Sequence, residues 1–202
     1  RMMEEQENVF YYLTVMNENY EHPEMPKGVE EGIKRGMYLL EEDEKATVQL
    51  LGSGVILREV IKAAKILREE YQIHSNVYSV TSFNELARDG MACEEYNRLH
   101  PLAEDVKEAW ISKQLRGTEG IVVSATDHMR AYSEQIRAYL PDGRPFVALG
   151  TDGYGRSDTR GNLRSYFGVD AAHIVVATLK KLADEGEVDP RLVKDAISTF
   201  EL

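Results

Sequence analysis

The sequence has a single cysteine, Cys93, so no disulfide can form within the chain. This composition is typical of proteins from a reducing compartment. Basic residues are also scarce, because 24 Lys and Arg stand against 35 Asp and Glu and give a formal net charge of -11 at pH 7. Such an excess of negative charge repels phosphodiester backbones, and no local basic patch is evident, so the sequence predicts no nucleic-acid partner.

No apolar run is long enough to cross a bilayer, and no signal-peptide pattern is present. We therefore expect a soluble, cytoplasmic protein with no membrane partner. The chain starts at Arg1 and soon enters the apolar stretch "VFYYLTV" at 9–15. That beginning is typical of the middle of a longer polypeptide.

Residue patterns for catalysis and metal binding are missing as well. The histidines are scattered, without H-x-x-H or H-E-x-x-H spacing and without a cysteine partner: His22, His74, His100, His128 and His173. Neither "GSG" nor "GRSD" matches a G-x-S-x-G nucleophile motif, and neither has an evident base. The sequence predicts no catalytic residue, no cofactor-binding residue and no metal ligand in this chain.

What the sequence does contain is an alternation of apolar strands and amphipathic helices. Strand patterns occur in "VFYYLTV", at 36–41, in "ATVQLLGSG", in "SNVYSVTS", in "GIVVSAT" and in "RPFVALGT". Helical periodicity follows most of them, for example in "VILREVIKAAKILREEY" and "DAAHIVVATLKKLADEG". This order predicts an α/β fold with a mostly parallel sheet covered on both faces.

Several helix boundaries have cap signals. Ser82 with Glu85 forms a capping box, Asp170 precedes a helix, and Asp189 is followed by Pro190 at the first helical position. Asp127 is expected to cap a helix over "HMRAYSEQIRAYL". A separate helix at 94–99 is expected to end before Pro101.

Two glycine-bearing loops follow strands, at 52–54 and at 150–155, where ligands of parallel sheets gather. The first lacks the third glycine of a dinucleotide fingerprint and the Lys-Ser/Thr pair of a phosphate loop, so tight strand-to-helix geometry explains it better than anion binding.

The second loop, "GTDGYGRSD", is the strongest candidate site. One hypothesis is a local turn in which Ser157 or Asp158 caps the next helix and Arg156 pairs with Asp152 or Asp158. The other is a contact site for a protein partner. The candidate contact residues are Asp152, Gly153, Arg156, Ser157, Asp158 and, on the following helix, His173.

Long segments of the chain resemble one family. "VFYYLTVMNENY", "VQLLGSGVILREV", "VYSVTSFNELARDG", "LGTDGYGRSDTRGNLRSYFGVDAAHIVVATL" and "DPRLVKDAI" resemble, in this order, the carboxyl-terminal part of the homodimeric bacterial pyruvate dehydrogenase decarboxylating component, a thiamine-diphosphate enzyme of the transketolase-like superfamily. The resemblance covers nearly the whole chain and is weakest at 91–120.

This resemblance implies that 1–27 is the end of a middle domain with its linker, and that 28–202 is a transketolase-like carboxyl-terminal domain. Such a domain is a three-layer α/β/α sandwich whose mixed sheet has one antiparallel strand. The implied parent decarboxylates pyruvate with thiamine diphosphate and Mg²⁺ and transfers the acetyl group to the lipoyl group of the dihydrolipoyl acyltransferase component. The cofactor motif and the catalytic residues of the family lie in chain that this sequence does not include.

The implied partners are the preceding domains and the second subunit of a homodimer. On this interpretation the chain alone is inactive and stabilises the dimer and the middle domain. Two alternatives stay open: a free-standing α/β module that binds a small anion at 52–54, and the carboxyl-terminal domain of a transketolase or of another keto-acid decarboxylating enzyme.

Overall fold

The computed structural model describes residues 1–13 and 18–202, and its centre is a five-stranded sheet. The strand order is β1-β3-β2-β4-β5, with β1 antiparallel to β3 and every other pairing parallel. The strands are β1 (Met37–Glu41), β2 (Val48–Ser53), β3 (Ser75–Val80), β4 (Ile121–Ala125) and β5 (Phe146–Leu149). A mixed, mostly parallel sheet with one antiparallel strand confirms the predicted fold class.

Helices precede, connect and follow the strands. They are α1 (Glu30–Arg35), α2 (Leu57–Tyr71), α3 (Phe83–Leu99), α4 (Trp110–Leu115), α5 (Arg130–Glu134), α6 (Arg160–Tyr166), α7 (Ala171–Asp184) and α8 (Pro190–Thr199). Short 3₁₀ turns cover 54–56, 137–139 and 141–143. Within the described ranges, no helix combines the length and the apolar character that a bilayer crossing requires.

The sheet has a hydrophobic core on each face. Leu50 packs with Val60 of α2 and Leu179 of α7 in one core. The neighbouring Leu51 belongs to the other core, together with residues of α3 and α4. Successive side chains of a strand point to opposite faces, so two adjacent buried leucines place helices on both sides of the sheet. The molecule therefore has the three α/β/α layers that the resemblance implies.

Three predicted helix caps are present. The Ser82 side chain accepts a hydrogen bond from the Glu85 backbone N–H at 3.1 Å. Asp170 caps α7 by accepting from the His173 N–H at 3.0 Å, and Asp189 caps α8. Each cap satisfies a backbone donor that the first helical turn cannot satisfy itself, so these three helices begin where the sequence predicts.

Two helix predictions are wrong. The separate helix at 94–99 is the end of one continuous helix, α3, and Gly90 in its middle is required because an added Cβ would lie 2.4 Å from the Tyr139 ring. Asp127 does not cap the next helix. That helix, α5, begins at Arg130, and the residue at its N-cap position, Met129, makes no side-chain capping hydrogen bond. The Asp127 carboxylate lies instead beside Gly54, on the neighbouring loop.

The predicted strand at 9–15 is not observed. Residues 9–13 have no regular structure, and the side chains of Phe10 and Tyr12 are 87% and 86% exposed. Residues 14 and 15, like the predicted start of the linker at 17, lie outside the described residues. A strand needs a neighbour for its backbone hydrogen bonds, and none of the five strands of the sheet pairs with this segment.

Tyr78 of β3 provides a test of the core facing α3 and α4. It is 1% exposed, and burial raises the pKa of its phenol to about 12. A tyrosine in the unfolded chain titrates at pH ~10. The contribution of neutral Tyr78 to the free energy of unfolding is therefore complete below that pH. It is lost as the pH rises toward about 12, because the unfolded chain releases its phenolic proton first. The free energy of unfolding of the unmutated protein should therefore fall between about pH 9 and about pH 11.5. We expect this fall to be smaller by about 2 kcal/mol in Tyr78→Phe, which has no phenol to titrate.

Urea denaturation across this pH range measures the effect. The matched control is Tyr154→Phe, because Tyr154 is 92% exposed. Equal pH dependence in the two variants would contradict a buried, neutral Tyr78.

Candidate contact site at the carboxyl edge of the sheet

The loops that follow β2, β4 and β5 meet at one edge of the sheet. From β2 the chain continues outward to β3 on one side, whereas β4 and β5 lie on the other side. The carboxyl edge between β2 and β4 is therefore a topological switch point, where α/β proteins place their functional groups. The loop at 150–159, singled out by the sequence, lies at this edge.

Contacts with the β4 loop hold the beginning of the 150–159 loop. Thr151 donates from its backbone N–H to the His128 carbonyl at 2.9 Å and from Oγ1 to the Asp127 carbonyl at 2.7 Å. A Cβ at Gly150 would lie 2.6 Å from the His128 carbonyl oxygen, so only glycine permits this close approach. The loop is thus anchored to the sheet before it turns outward.

Asp152 is the next residue, and it pairs with Arg130. Its carboxylate accepts from the Arg130 backbone N–H at 3.1 Å and from the Arg130 guanidinium. These hydrogen bonds, the side-chain one above all, lower the pKa of Asp152. The predicted pairing of Asp152 with Arg156 is wrong, because Arg130 lies closer on the adjacent loop.

Arg156 instead contacts an aromatic ring. Its Nε donates to the Tyr166 hydroxyl at 3.2 Å, and its guanidinium lies 5.5 Å from the centre of that ring. Both side chains are exposed, and Tyr154 on the same loop is 92% exposed. Arginine and tyrosine are enriched among residues that carry protein–protein binding energy, so this composition favours a contact surface.

The remaining loop residues prepare α6. Its N-cap is Thr159, whose hydroxyl accepts from the Asn162 N–H at 3.3 Å, and not Ser157 or Asp158 as predicted. Asp158 accepts from the Thr159 N–H at 2.6 Å and from the Asn162 side chain at 2.9 Å. Ser157 is exposed. Asp158, the residue before the N-cap, therefore adds hydrogen bonds to the first turn of α6.

His173 lies in the first turn of α7, where its Nδ1 is 2.7 Å from an Asp170 carboxylate oxygen. It shares a groove of about 600 Å³ with Asp152 and Arg130. Two predicted contact residues, Asp152 and His173, are thus brought together by the fold although they are 21 positions apart in the sequence.

A second groove lies beside the first, and we call it the arginine cleft. It has a volume of about 610 Å³, and its lining includes Tyr20, Gly153, Arg156, Arg160 and Arg164. Gly153 has φ +94°, a left-handed conformation that favours glycine. Sequence reasoning missed Tyr20, Arg160 and Arg164, although the four-residue spacing of Arg160 and Arg164 on α6 is a signal for one common face.

Glu59 of α2 organises the base of this region. Its side chain is 7% exposed and accepts from the Arg164 guanidinium at 3.1 Å, from the Lys62 ammonium at 3.0 Å and from the Ala171 backbone N–H at 3.3 Å. One buried carboxylate therefore connects α2, α6 and the beginning of α7.

The loop at 52–54 is tightly packed. The position of a Cβ on Gly52 is filled by Leu57 and Val60, at 2.8 and 3.0 Å. Gly54 has φ +54°, and a Cβ there would lie 3.4 Å from an Asp127 carboxylate oxygen. A carboxylate beside the loop repels a phosphate, so the glycines have a steric role and the loop does not fit a diphosphate. Among residues 1–13 and 18–202, no group of three or more His, Cys, Asp or Glu could hold a metal ion.

Two family models match this chain. The one described as "Transketolase-like TK C-terminal domain" matches residues 36–170. The one described as "Pyruvate dehydrogenase E1 component middle domain" matches residues 1–23.

The curated relatives that match over nearly the whole chain are named pyruvate dehydrogenase E1 component. The pyruvate dehydrogenase E1 component of Pseudomonas aeruginosa is 53% identical over 203 residues, which cover 99% of this chain and 23% of the relative. That of Escherichia coli is 52% identical over 201 residues, covering 98% of this chain and 22% of the relative. The chain thus spans less than a quarter of the length of these relatives.

Solved structures share the fold at lower identity. A transketolase from Pichia stipitis, in complex with sedoheptulose 7-phosphate, has a TM-score of 0.52 and 17% identity, covering 79% of this chain and 20% of the transketolase chain. A transketolase from Leishmania mexicana has a TM-score of 0.50 and 20% identity, covering 76% of this chain and 19% of its own. At these identities the similarity is one of fold.

Removing the Glu59 carboxylate tests whether it organises this edge. Glu59→Ala leaves the guanidinium of Arg164, itself only 18% exposed, without its carboxylate partner. Breaking a buried ion pair in this way is strongly destabilising, so we expect a loss of about 3 kcal/mol in the free energy of unfolding. Urea denaturation at neutral pH measures it.

The control is Glu69→Ala on the exposed face of the same helix, which should change stability by less than about 0.5 kcal/mol. If the two variants unfold at the same urea concentration, Glu59 has no organising role.

Proposed function

Because the chain belongs to the transketolase-like C-terminal domain family, we propose that it forms the carboxyl-terminal part of a bacterial, cytoplasmic pyruvate dehydrogenase E1 component. In this role it stabilises the assembled enzyme and carries no catalytic group. The division is proposed at 27/28, with the end of the middle domain at 1–27 and the C-terminal domain at 28–202. The two family matches support it, since one ends at 23 and the other begins at 36.

The chemistry is proposed for the full-length enzyme. It decarboxylates pyruvate with thiamine diphosphate and Mg²⁺, and it transfers the acetyl group to the lipoyl group of a dihydrolipoyl acyltransferase partner. Relatives about half identical in sequence and named pyruvate dehydrogenase E1 component support this assignment. The loop at 52–54 does not fit the diphosphate, because it is packed and faces Asp127, and we assign the cofactor and Mg²⁺ to the preceding domains.

The contact role rests mainly on one observation: tyrosines and arginines are exposed together around the 150–159 loop. Tyr154 is 92% exposed, Tyr166 is 63% exposed, and Arg130 and Arg156 are exposed beside them. Surface loops held on a rigid sheet edge are suited to binding a partner. We assign this surface to contacts with the second subunit of a homodimer and with the preceding domains.

The exposed aromatic segment at 9–13 supports the same proposal. Phe10, Tyr12 and Leu13 are all more than 80% exposed, at 87%, 86% and 81%. A contiguous apolar segment of this kind usually lies in an interface. It falls within the middle-domain match, so the remainder of that domain is the partner that would bury it.

Comparing the 202-residue chain with the full-length enzyme tests the proposal. We expect the full-length enzyme to turn over pyruvate, and we expect titration calorimetry to detect no binding of thiamine diphosphate to the chain alone. Tight, stoichiometric binding to the chain would favour a free-standing anion-binding module. Turnover of sugar phosphates in place of pyruvate would identify the parent as a transketolase.

Replacing Arg156 tests the subunit contact. In the full-length enzyme, Arg156→Ala removes a guanidinium stacked on Tyr166, and we expect the dimer dissociation constant to rise about tenfold. Sedimentation equilibrium measures the constant. Arg88→Ala is the matched control, because that side chain is 74% exposed on α3. An unchanged dimer would remove Arg156 from the contact surface.

A further inference from the structure

Beside the arginine cleft, two side chains of the amino-terminal segment contact arginines of α2 and α6. The Arg58 guanidinium lies 4.4 Å from the centre of the Tyr20 ring. The Tyr20 hydroxyl accepts a hydrogen bond from Arg164 Nη2 at 3.3 Å and donates to the Glu18 carboxylate. Glu18 in turn forms an ion pair with Arg160 at 2.9 Å. Three arginines from α2 and α6 thus contact a Glu-x-Tyr sequence.

These contacts connect distant parts of the chain. Tyr20 and Arg164 are separated by 144 positions. Tyr20 belongs to the middle-domain match at 1–23, whereas the arginines belong to the C-terminal domain match at 36–170. Residues 18–29 contain neither helix nor strand and include Pro23 and Pro26. Residues of the middle-domain match thus contact the sheet-based domain next to this cleft.

One of the three arginines, Arg164, is held in place by a contact that does not involve Tyr20. Glu59 fixes Arg164 from below, at 3.1 Å. Holding a side chain in one geometry in advance lowers the entropy lost on contact. The hydrogen bond from Tyr20 lowers the pKa of the Glu18 carboxylate, and the nearby arginines lower it further. The carboxylate thus stays charged at neutral pH.

Arg58 also has an unsatisfied group. Its Nη1 is buried and has no hydrogen-bond partner in the part of the chain that the structure describes. Buried guanidinium donors are costly to leave unpaired, and native proteins nearly always satisfy them. The face of the Tyr20 ring, 4.4 Å from the Arg58 guanidinium, is the contact that compensates this group.

We infer that Glu18 and Tyr20 form a latch, closed on Arg58, Arg160 and Arg164, that fixes the middle domain against the C-terminal domain. In this latch Arg58 lies over the Tyr20 ring, Arg164 donates to the Tyr20 hydroxyl, and Arg160 pairs with the Glu18 carboxylate. This inference rests on the proposed function, because it assigns one defined interdomain contact to the domain-stabilising role.

Limited proteolysis of the full-length enzyme tests the latch. Trypsin can cut after Lys27, which is exposed in the linker that Tyr20 anchors. Tyr20→Ala removes a cation–π contact and two hydrogen bonds, so we expect cleavage after Lys27 to become about tenfold faster. Cleavage after Arg116, in a loop at the opposite edge of the sheet, is the internal reference and should keep its rate.

Arg58→Ala is expected to give a similar acceleration, and Arg68→Ala, at an exposed position of the same helix, is the matched control. The double variant Tyr20→Ala with Arg58→Ala should be cleaved no faster than about the faster single variant, because both changes open one contact. If Tyr20→Ala does not fold, Tyr20→Phe keeps the ring and loses the hydroxyl, and we expect about threefold faster cleavage.

Cleavage after Lys27 at the rate of the Arg68→Ala control would overturn the latch, and so would independent, multiplicative effects in the double variant. Pyruvate turnover by the unmutated enzyme is measured separately. Failure of turnover would reject the proposed function while leaving the proteolysis comparison interpretable, and failure of the latch would leave the turnover assignment intact.

Discussion

The carboxyl edge of this sheet depends on one buried ion pair, between Glu59 and Arg164. A carboxylate removed from water needs a cation and hydrogen-bond donors, and Glu59 finds them on α2, α6 and the first turn of α7. This requirement fixes the position of α6 relative to the sheet. The candidate contact loop, which the β4 loop holds at its start, leads into α6, and the groove containing His173 lies after α6.

The two grooves at this edge are separated by α6 and the aromatic residues that end it. Tyr166 and Phe167 pack edge to face with ring centres 5.0 Å apart, and Phe167 lines both grooves. Parallel sheets usually bind small ligands at this edge. Here the Asp127 carboxylate lies beside the loop at 52–54. The arginines near this edge contact tyrosines and carboxylates of the same chain, as Arg156 contacts Tyr166 and Arg160 pairs with Glu18. These contacts are in keeping with the proposed role of the edge in binding a protein partner.

Much of the fold was predictable because it depends on local patterns. The five strands of the sheet, the caps of α3, α7 and α8, and the packing role of Gly52 all follow from residues close together in sequence. The strand predicted at 9–15 failed for a non-local reason, since hydrophobic β-branched composition says nothing about whether a pairing partner is present. The division of domains at 27/28 stays a prediction.

The candidate site was only partly predictable for the same reason. The sequence named Asp152, Arg156 and His173 as candidates, and one hypothesis paired Arg156 with a neighbouring acid, Asp158 or Asp152. The actual partner of Asp152, Arg130, comes from a loop that only the strand order brings close. Glu59, Arg58 and Tyr20 gave no local signal, since an acid beside an arginine on a helix is usually a solvated surface pair.

The exposed stretch "VFYYL" at 9–13 has a consequence for the synthesis and turnover of the protein. Short segments with high β-propensity and no charge are the ones that pair between chains and aggregate. Acidic residues flank this stretch, at Glu4, Glu5 and Glu7 before it and at Glu18 and Glu21 after it. Flanking charges of this kind act as gatekeepers against such pairing. Molecules whose middle domain is cleaved or incompletely folded would expose this segment. Its exposure would let chaperones and proteases distinguish such molecules from intact enzyme.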